Sequence, residues 1–285
     1  MAQDTRIDAL LPQEMALRAE YIGVRKAEAP ALTQFVLAIM AGAFIALGAV
    51  FATVISAGTS SAWPYGVSKL LTGFGFCLGL ILVVVGGAEL FTGNNMIVMA
   101  WASGKVGTPA LLRNWGIVYV GNFIGAFGVA MLVFLSRQYL AGGGSIGETA
   151  LTIAAGKVNF DFIQALVLGV LCNTLVCLAV WLTYSARSVV DKVISIVFPV
   201  TAFVAAGFEH SIANMYFIPF AMLIKAFDPA FVASKGLDLS GLTLSTFLVN
   251  NLLPVTIGNV FGGAVLVAAV YWSVFLHKNV HHEEK

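Results

Sequence analysis

Charge is what this 285-residue chain has least of: Asp, Glu, Lys and Arg together make up 10% of it while 59% is hydrophobic, against about 25% and 45–50% in an ordinary soluble domain. That balance excludes a soluble globular enzyme. With a formal net charge of +1 and so much apolar sequence, it also excludes a disordered chain and a binder of nucleic acid. Cysteine is scarce too. Cys77, Cys172 and Cys177 cannot make a disulfide scaffold, and each lies inside an apolar run, where it reads as a small buried side chain rather than a metal or redox ligand. Neither H-E-x-x-H nor a phosphate-cradling glycine loop occurs, so zinc hydrolysis and nucleotide-driven pumping have no support and no metal or cofactor is expected. What the chain has in quantity is sequence suited to a lipid bilayer. At about 20 residues per crossing there is room for six or seven spans and no separate extramembrane domain.

Stretches without Asp, Glu, Lys or Arg map those spans. Ala29 to Ser68, Asn114 to Ser136, Phe162 to Ala186 and Leu239 to His277 predict helices over roughly 33–57, 114–136, 160–186 and 248–276. Leu70 to Ser103 and Val193 to Ile224 are also long enough to cross, but each carries one carboxylate in its middle, Glu89 and Glu209. The reading is an all-α polytopic membrane protein with six transmembrane helices and both termini on one side. That side holds ten basic residues, among them Arg18, Lys26, Arg113 and Lys192, against five on the other, Lys69, Arg137, Lys157, Lys225 and Lys235. The excess predicts cytoplasmic termini. Residues 1–28 alternate acids with bases, unlike a signal peptide, and place Ile7, Leu10, Leu11, Leu17, Tyr21 and Ile22 near helical spacing. They are expected to form a cytoplasmic amphipathic helix on the membrane face or against a pore mouth, ahead of a transmembrane domain at 29–278 and a tail at 279–285. Trp63, Trp101, Trp115 and Trp272 fall near span ends, as in membrane belts, whereas Trp181 lies deeper.

An internal repeat is visible by eye. Gly87-Ala88-Glu89-Leu90-Phe91-Thr92-Gly93-Asn94 matches Gly207-Phe208-Glu209-His210-Ser211-Ile212-Ala213-Asn214 as G-x-E-x-x-x-x-N, 120 residues apart. Gly121-Asn122-Phe123-Ile124-Gly125 matches Gly258-Asn259-Val260-Phe261-Gly262 as G-N-x-x-G, 137 residues apart and in the same order. Three spans per half force the halves, about 30–136 and 160–276, into opposite orientations. This is the inverted repeat of many transport proteins, whose site lies at the repeat interface near mid-membrane.

A carboxylate inside an apolar span costs about 2.5–3.5 kcal/mol on insertion scales, so Glu89 and Glu209 should face protein or water. Each is followed by small or helix-weakening residues, which predicts that the second and fifth helices are broken there. Two half-helix N-termini pointing at the centre would suit an anion. Each Glu equally fits a purely structural task, capping a helix end or bonding a neighbouring backbone N–H. His210 is the only histidine within a span, and its ordinary pKa near 6.5 lets it exchange a proton in the physiological range. Thr92 stands in the matching element, where its hydroxyl could bond the imidazole or a carboxylate solute. His277, His281 and His282 read as a solvated tail rather than a metal site. Gly143-Gly144-Ser145-Ile146-Gly147 fits the G-x-S-x-G of serine hydrolases, but a nucleophile elbow needs a strand before it. Here the match falls among glycines in the expected loop between spans three and four. An intramembrane hydrolase and a non-transporting scaffold are the readings that compete with transport, the first predicting that Ser145 reacts with a fluorophosphonate.

These residues also carry a resemblance. Leu10-Leu11-Pro12, Gly79-Leu80-Ile81-Leu82, Gly87 to Thr92, Asn114-Trp115 with Tyr119 and Gly121-Asn122, Cys177-Leu178-Ala179-Val180-Trp181, Ala206 to Met215 and Asn251 to Asn259 resemble the formate–nitrite transporter family over essentially the whole chain. One departure is Glu89, where some relatives carry Asp. The resemblance implies a homopentamer of the bacterial inner membrane in which each protomer has its own pore through an aquaporin-like six-helix fold. It implies two apolar constrictions from Phe76, Leu80, Leu90, Phe91, Val176 and Phe203, with Thr92 and His210 in a chamber between them. Lys157, Asn173 and Glu209 would form a polar set toward the outer mouth, with Asn214 on the same pathway. The cargo it implies is formate, with nitrite, hydrosulfide or a larger monocarboxylate as alternatives. The expected mechanism is passive and pH-sensitive, exporting near neutral pH and admitting formate in acid, with proton-coupled symport as the other form. Lys157 and the half-helix N-termini would draw the anion in, His210 would donate a proton or hydrogen bond, and residues 1–28 would contribute to a gate.

Overall fold

Helices account for nearly everything in the computed structural model, which describes residues 9–59 and 63–277 and has no strand among them. Helix α1 (Pro12–Glu28) precedes α2 (Ala31–Ser56) and α3 (Tyr65–Gly86). A turn of 3-10 helix at Gly93–Ile97 leads into the short α4 (Val98–Ala102), followed by α5 (Thr108–Leu135). The second half repeats the order with α6 (Ser145–Val158), α7 (Phe162–Ser185), α8 (Val189–Ala205), α9 (Ser211–Phe227) and the short α10 (Pro229–Lys235). A final helix, α11 (Thr246–Phe275), contains two π-helical stretches at Thr246–Leu252 and Phe261–Ala269.

Helices α2, α3, α5, α7 and α11 are each long and apolar enough to cross a membrane. The remaining crossing uses α8 and α9, 17 residues apiece and each short of the roughly 20 a bilayer needs. The second and fifth spans break where the repeated motif sits. Gly87 (φ +73°) closes α3 and Gly207 (φ +75°) follows α8, both in the left-handed region that a side chain resists. Each break then ties back to the preceding span, Glu89 N–H donating to Leu37 O and Glu209 N–H to Leu168 O, both at 3.2 Å.

The two halves run in opposite directions. Along α3, Lys69 lines a cavity that Lys157 of α6 also lines, whereas Val83 lines a second cavity with Lys26 of α1. Along α8 the order is reversed, Lys192 bordering the α1-side cavity and Val204 the α6-side one. An inverted repeat therefore holds in space, and it starts earlier than the span count suggests. Helices α1 and α6 are mates, each preceding the first span of its half and each delivering a lysine to that half's broken helix.

One expectation is corrected. The segment from Gly143 to Gly147 is not wholly loop, because Ser145 opens α6, and only the three glycines before it, all at positive φ, form the turn. Helix α1 is present, and the face it packs against the rest of the chain is its small-residue one. Met15, Ala16, Ala19, Gly23 and Ala27 are buried while Leu11, Leu17 and Tyr21 are exposed. Small residues let α1 lie close against α4, where a Cβ at Gly23 would stand 3.0 Å from that of Ala100. Ile7, His281 and His282 lie outside the described residues. Trp181 stacks on Tyr271 with ring centroids 4.1 Å apart, beneath the end of α11 that Gln13 of α1 ties down through Phe275 O.

Candidate functional site

Buried polar side chains gather at the two breaks in matching networks. On the α1 side Lys26 Nζ pairs with Glu89 at 2.8 Å, Asn94 Nδ2 donates to Glu89 at 2.6 Å and to Asn114 Oδ1 at 2.9 Å, and Asn114 returns to Lys26 O at 3.1 Å. On the α6 side Lys157 Nζ pairs with Glu209 at 2.6 Å, Asn214 Nδ2 donates to Glu209 at 2.7 Å and to Asn251 Oδ1 at 2.7 Å, and Asn251 returns to Lys157 O at 2.9 Å. Each ion pair is thus knitted into amides that satisfy its remaining lone pairs, the condition under which a buried charge pair is tolerable. The halves differ in detail, Asn251 Nδ2 also donating to Glu209 at 3.1 Å. Lys26 also reaches Asn94 Oδ1 at 3.1 Å, whereas Asn214 Oδ1 is buried with no hydrogen-bond partner.

A second pair of asparagines pins the breaks. Asn122 accepts from Phe91 N–H and donates to Ala38 O and Glu89 O; Asn259 accepts from Ser211 N–H and donates to Gly169 O and Glu209 O, all at 2.7–2.9 Å. The expected anion-binding helix ends are therefore partly occupied by the protein itself. At α9, Ser211 N–H goes to Asn259 and Ala213 N–H to His210 Nδ1 at 3.1 Å. The field of the helix end remains, but those two N–H groups are not offered to a solute.

His210 and Thr92 meet across the repeat axis, with Nε2 and Oγ1 2.9 Å apart and both residues buried. Because Nδ1 caps α9 by accepting Ala213 N–H, the network assigns the ring proton to Nε2, which donates to Thr92. The imidazole is neutral in this arrangement. Thr92 Oγ1 keeps its own proton to give elsewhere.

A cavity of about 340 Å³ on the α6 side is bordered by His210, and a second of about 270 Å³ lies on the α1 side. Phe76, Phe203, Lys157, Glu209, His210 and Asn214 line the first, and Leu80, Leu90, Lys26 and Glu89 the second. The Phe76 and Phe203 rings meet edge-on with centroids 5.7 Å apart, and Phe203 lies nearly parallel to the His210 ring at 6.1 Å. Four of the residues named from the resemblance, Phe91, Thr92, Asn173 and Val176, border neither cavity. Phe91 turns its ring against Tyr119 at 4.9 Å and Trp115 at 6.1 Å, bordering a hollow beside α5 and α11. Asn173 is not joined to Lys157 and Glu209. Its Nδ2 faces Asn259 O at 2.6 Å, Asn95 Oδ1 at 2.8 Å and Thr92 O at 3.3 Å, so one amide spans the two halves beneath the Thr92 break. Val176, one turn further along α7 at 3 residues' spacing, is buried.

Lys26, Asn114 and Asn251 are functional candidates that motif reading missed. A signal existed: Asn114 and Asn251 are 137 residues apart, the spacing of G-N-x-x-G. Asn173→Leu should lower the thermal midpoint of the detergent-solubilised protein. It leaves buried acceptors at Asn259 O and Asn95 Oδ1 without this donor, and each unmet group costs about 1–3 kcal/mol. An unchanged midpoint would contradict that geometry.

Apolar spans in an inverted repeat, two broken helices and a cavity on either side of the breaks define a polytopic transport protein. The model of the formate/nitrite transporter family matches residues 13–273, and the chain belongs to that family. It is 47% identical to the formate channel FocA of Escherichia coli over 99% of this chain and 100% of that one. It is 40% identical to the formate channel FocA of Haemophilus influenzae over 91% of this chain and 92% of that one. Among solved structures, a pentameric formate channel with formate bound matches with a TM-score of 0.81 and 47% identity, covering 86% of this chain and 98% of that one.

Proposed function

We propose that the chain is a passive, pH-sensitive channel for formate in the bacterial inner membrane, working as a homopentamer with a pore in each protomer. Its relatives are named for formate, and the solved neighbour is a pentamer with formate bound. Residues 1–28 are the cytoplasmic segment, 29–278 the channel and 279–285 the tail. The ten basic residues against five support a cytoplasmic side for α1 and its cavity. The observation that carries the reading is the buried Thr92–His210 contact beside the α6-side cavity, with a lysine in the wall of each cavity.

Passing a bare carboxylate between Phe76, Phe203, Leu80 and Leu90 costs several kcal/mol unless something offsets it. Lys157 outside and Lys26 inside raise the local anion concentration, as charges set in low-dielectric walls do. At the centre the donor offered to the anion is the Thr92 hydroxyl, polarised because His210 Nε2–H donates into the same oxygen. Protonation of His210 at Nδ1 would set two N–H groups against each other, forcing Ala213 out of its bond and loosening the start of α9. This makes the centre sensitive to acid. Export near neutral pH and uptake in acid then follow from the state of one ring and the formate gradient.

The test is formate flux into proteoliposomes at fixed pH without an imposed potential, with nitrite and hydrosulfide beside it. Fast formate flux supports the reading; clear nitrite or hydrosulfide flux with little formate moves the chain to another cargo. His210→Asn keeps an N-cap acceptor but removes the titrating group. Flux through it should lose the pH dependence of the wild type, and an unchanged profile would remove His210 from the mechanism.

A further inference from the structure

The two mouths differ in the chemistry of their walls. The α1-side cavity is bordered by aliphatic side chains, Leu80, Val83, Val84, Leu90 and Val180, with Tyr184 its one aromatic ring. The α6-side cavity is bordered by five phenylalanines, Phe76, Phe160, Phe203, Phe208 and Phe217. Lys69 and Lys157 also line it, against the single carboxylate of Glu209, so its charged groups sum to +1 with His210 neutral. At about 340 Å³ it is within the range of cavities that hold a small organic ligand, and far larger than a one-carbon acid requires. Its inner end is closed by the edge-on contact of Phe76 and Phe203, centroids 5.7 Å apart.

Phenyl rings favour other aromatic rings in edge-to-face or offset packing, and a monoanion suits a site with one surplus cation. Lys157 already rests over the face of Phe217, 5.4 Å from its centroid, so a cation and an aromatic wall stand side by side. We propose that the α6-side cavity is a binding site for planar aromatic monocarboxylates, which set the carboxylate at Lys157 and Lys69 and the ring among Phe160, Phe208 and Phe217. The Phe76–Phe203 pair stops such a ligand, which occludes the pore from that side without passing. Occlusion rests on the reading that this cavity lies on the permeation path; binding does not.

Benzoate is the probe. Added to proteoliposomes, it should reduce initial formate flux saturably, while benzamide, with the ring but no charge, and acetate, with the charge but no ring, do so weakly. Saturation-transfer NMR on the detergent-solubilised protein should show benzoate ring protons in contact with it. Phe160→Ala, at the cavity's rim, should keep formate flux and raise the half-inhibiting benzoate concentration by about threefold to tenfold, the range for one lost aromatic contact. No saturation transfer, or equal inhibition by acetate, overturns the site. Benzoate entering as fast as formate overturns occlusion. Binding seen by NMR in a protein that carries no formate would instead count against the channel reading and leave the site standing.

Discussion

Lys157→Leu is expected to destabilise the protein by about 3–5 kcal/mol and to suppress anion flux, a larger loss than Lys26→Leu produces. Both changes strand a carboxylate. They differ in depth, the Lys157 and Glu209 side chains being 15% and 3% exposed and those of Lys26 and Glu89 28% and 11%. Water reaches the α1-side pair more readily, so Glu89 without its lysine is partly solvated, whereas Glu209 keeps only the amides of Asn214 and Asn251. Removing both partners in Lys157→Leu, Glu209→Leu should recover part of the lost stability, since no uncompensated charge is left behind. Thermal unfolding in detergent measures the ordering. A Lys26 variant as damaged as the Lys157 variant would show that burial does not govern these pairs.

Much of this architecture is legible in the sequence because lipid imposes a simple code. Absence of charge marks four of the five long helices, and the two carboxylates inside apolar runs mark both breaks. The code fails where structure is made by partners distant in sequence. Helix α6 carries Glu148 and Lys157 and follows three glycines, so it reads as loop until it is matched with α1. Lys26 lies 63 residues from Glu89, and nothing local announces the pair. Sequence gives the depth of Asn173 along α7 but not its rotation, and rotation turns its amide toward Thr92 and Asn259 rather than toward Lys157. The face α1 packs is also hidden, because close approach selects its alanines and Gly23 over its larger apolar residues.

The same closeness sets the other large effect, the loss of folded protein in Gly258→Ala. Helices α7 and α11 cross with backbones touching: a Cβ at Gly258 would fall on the carbonyl oxygen of Leu166, and one at Gly262 on that of Val170. Both atoms met are backbone, so no side chain can swing aside; the helices must separate. Separation pulls Asn259 from Gly169 O and Glu209 O, and with it the cap at Ser211 that holds the second break. Small residues of this kind let transmembrane helices associate where no hydrophobic force favours it. In the first half, a Cβ at Gly125 would fall on Ile39 O, between α5 and α2, so Gly125→Ala should fail in the same way. Gly116 and Gly128, also on α5, have open space where a Cβ would go. Alanine at either should be neutral or stabilising by up to about 1 kcal/mol, from helix propensity alone. Size-exclusion profiles of the four variants, expressed side by side, test the division: monodisperse Gly258→Ala at wild-type yield would mean that the α7–α11 contact tolerates widening and that Asn259 does not depend on it.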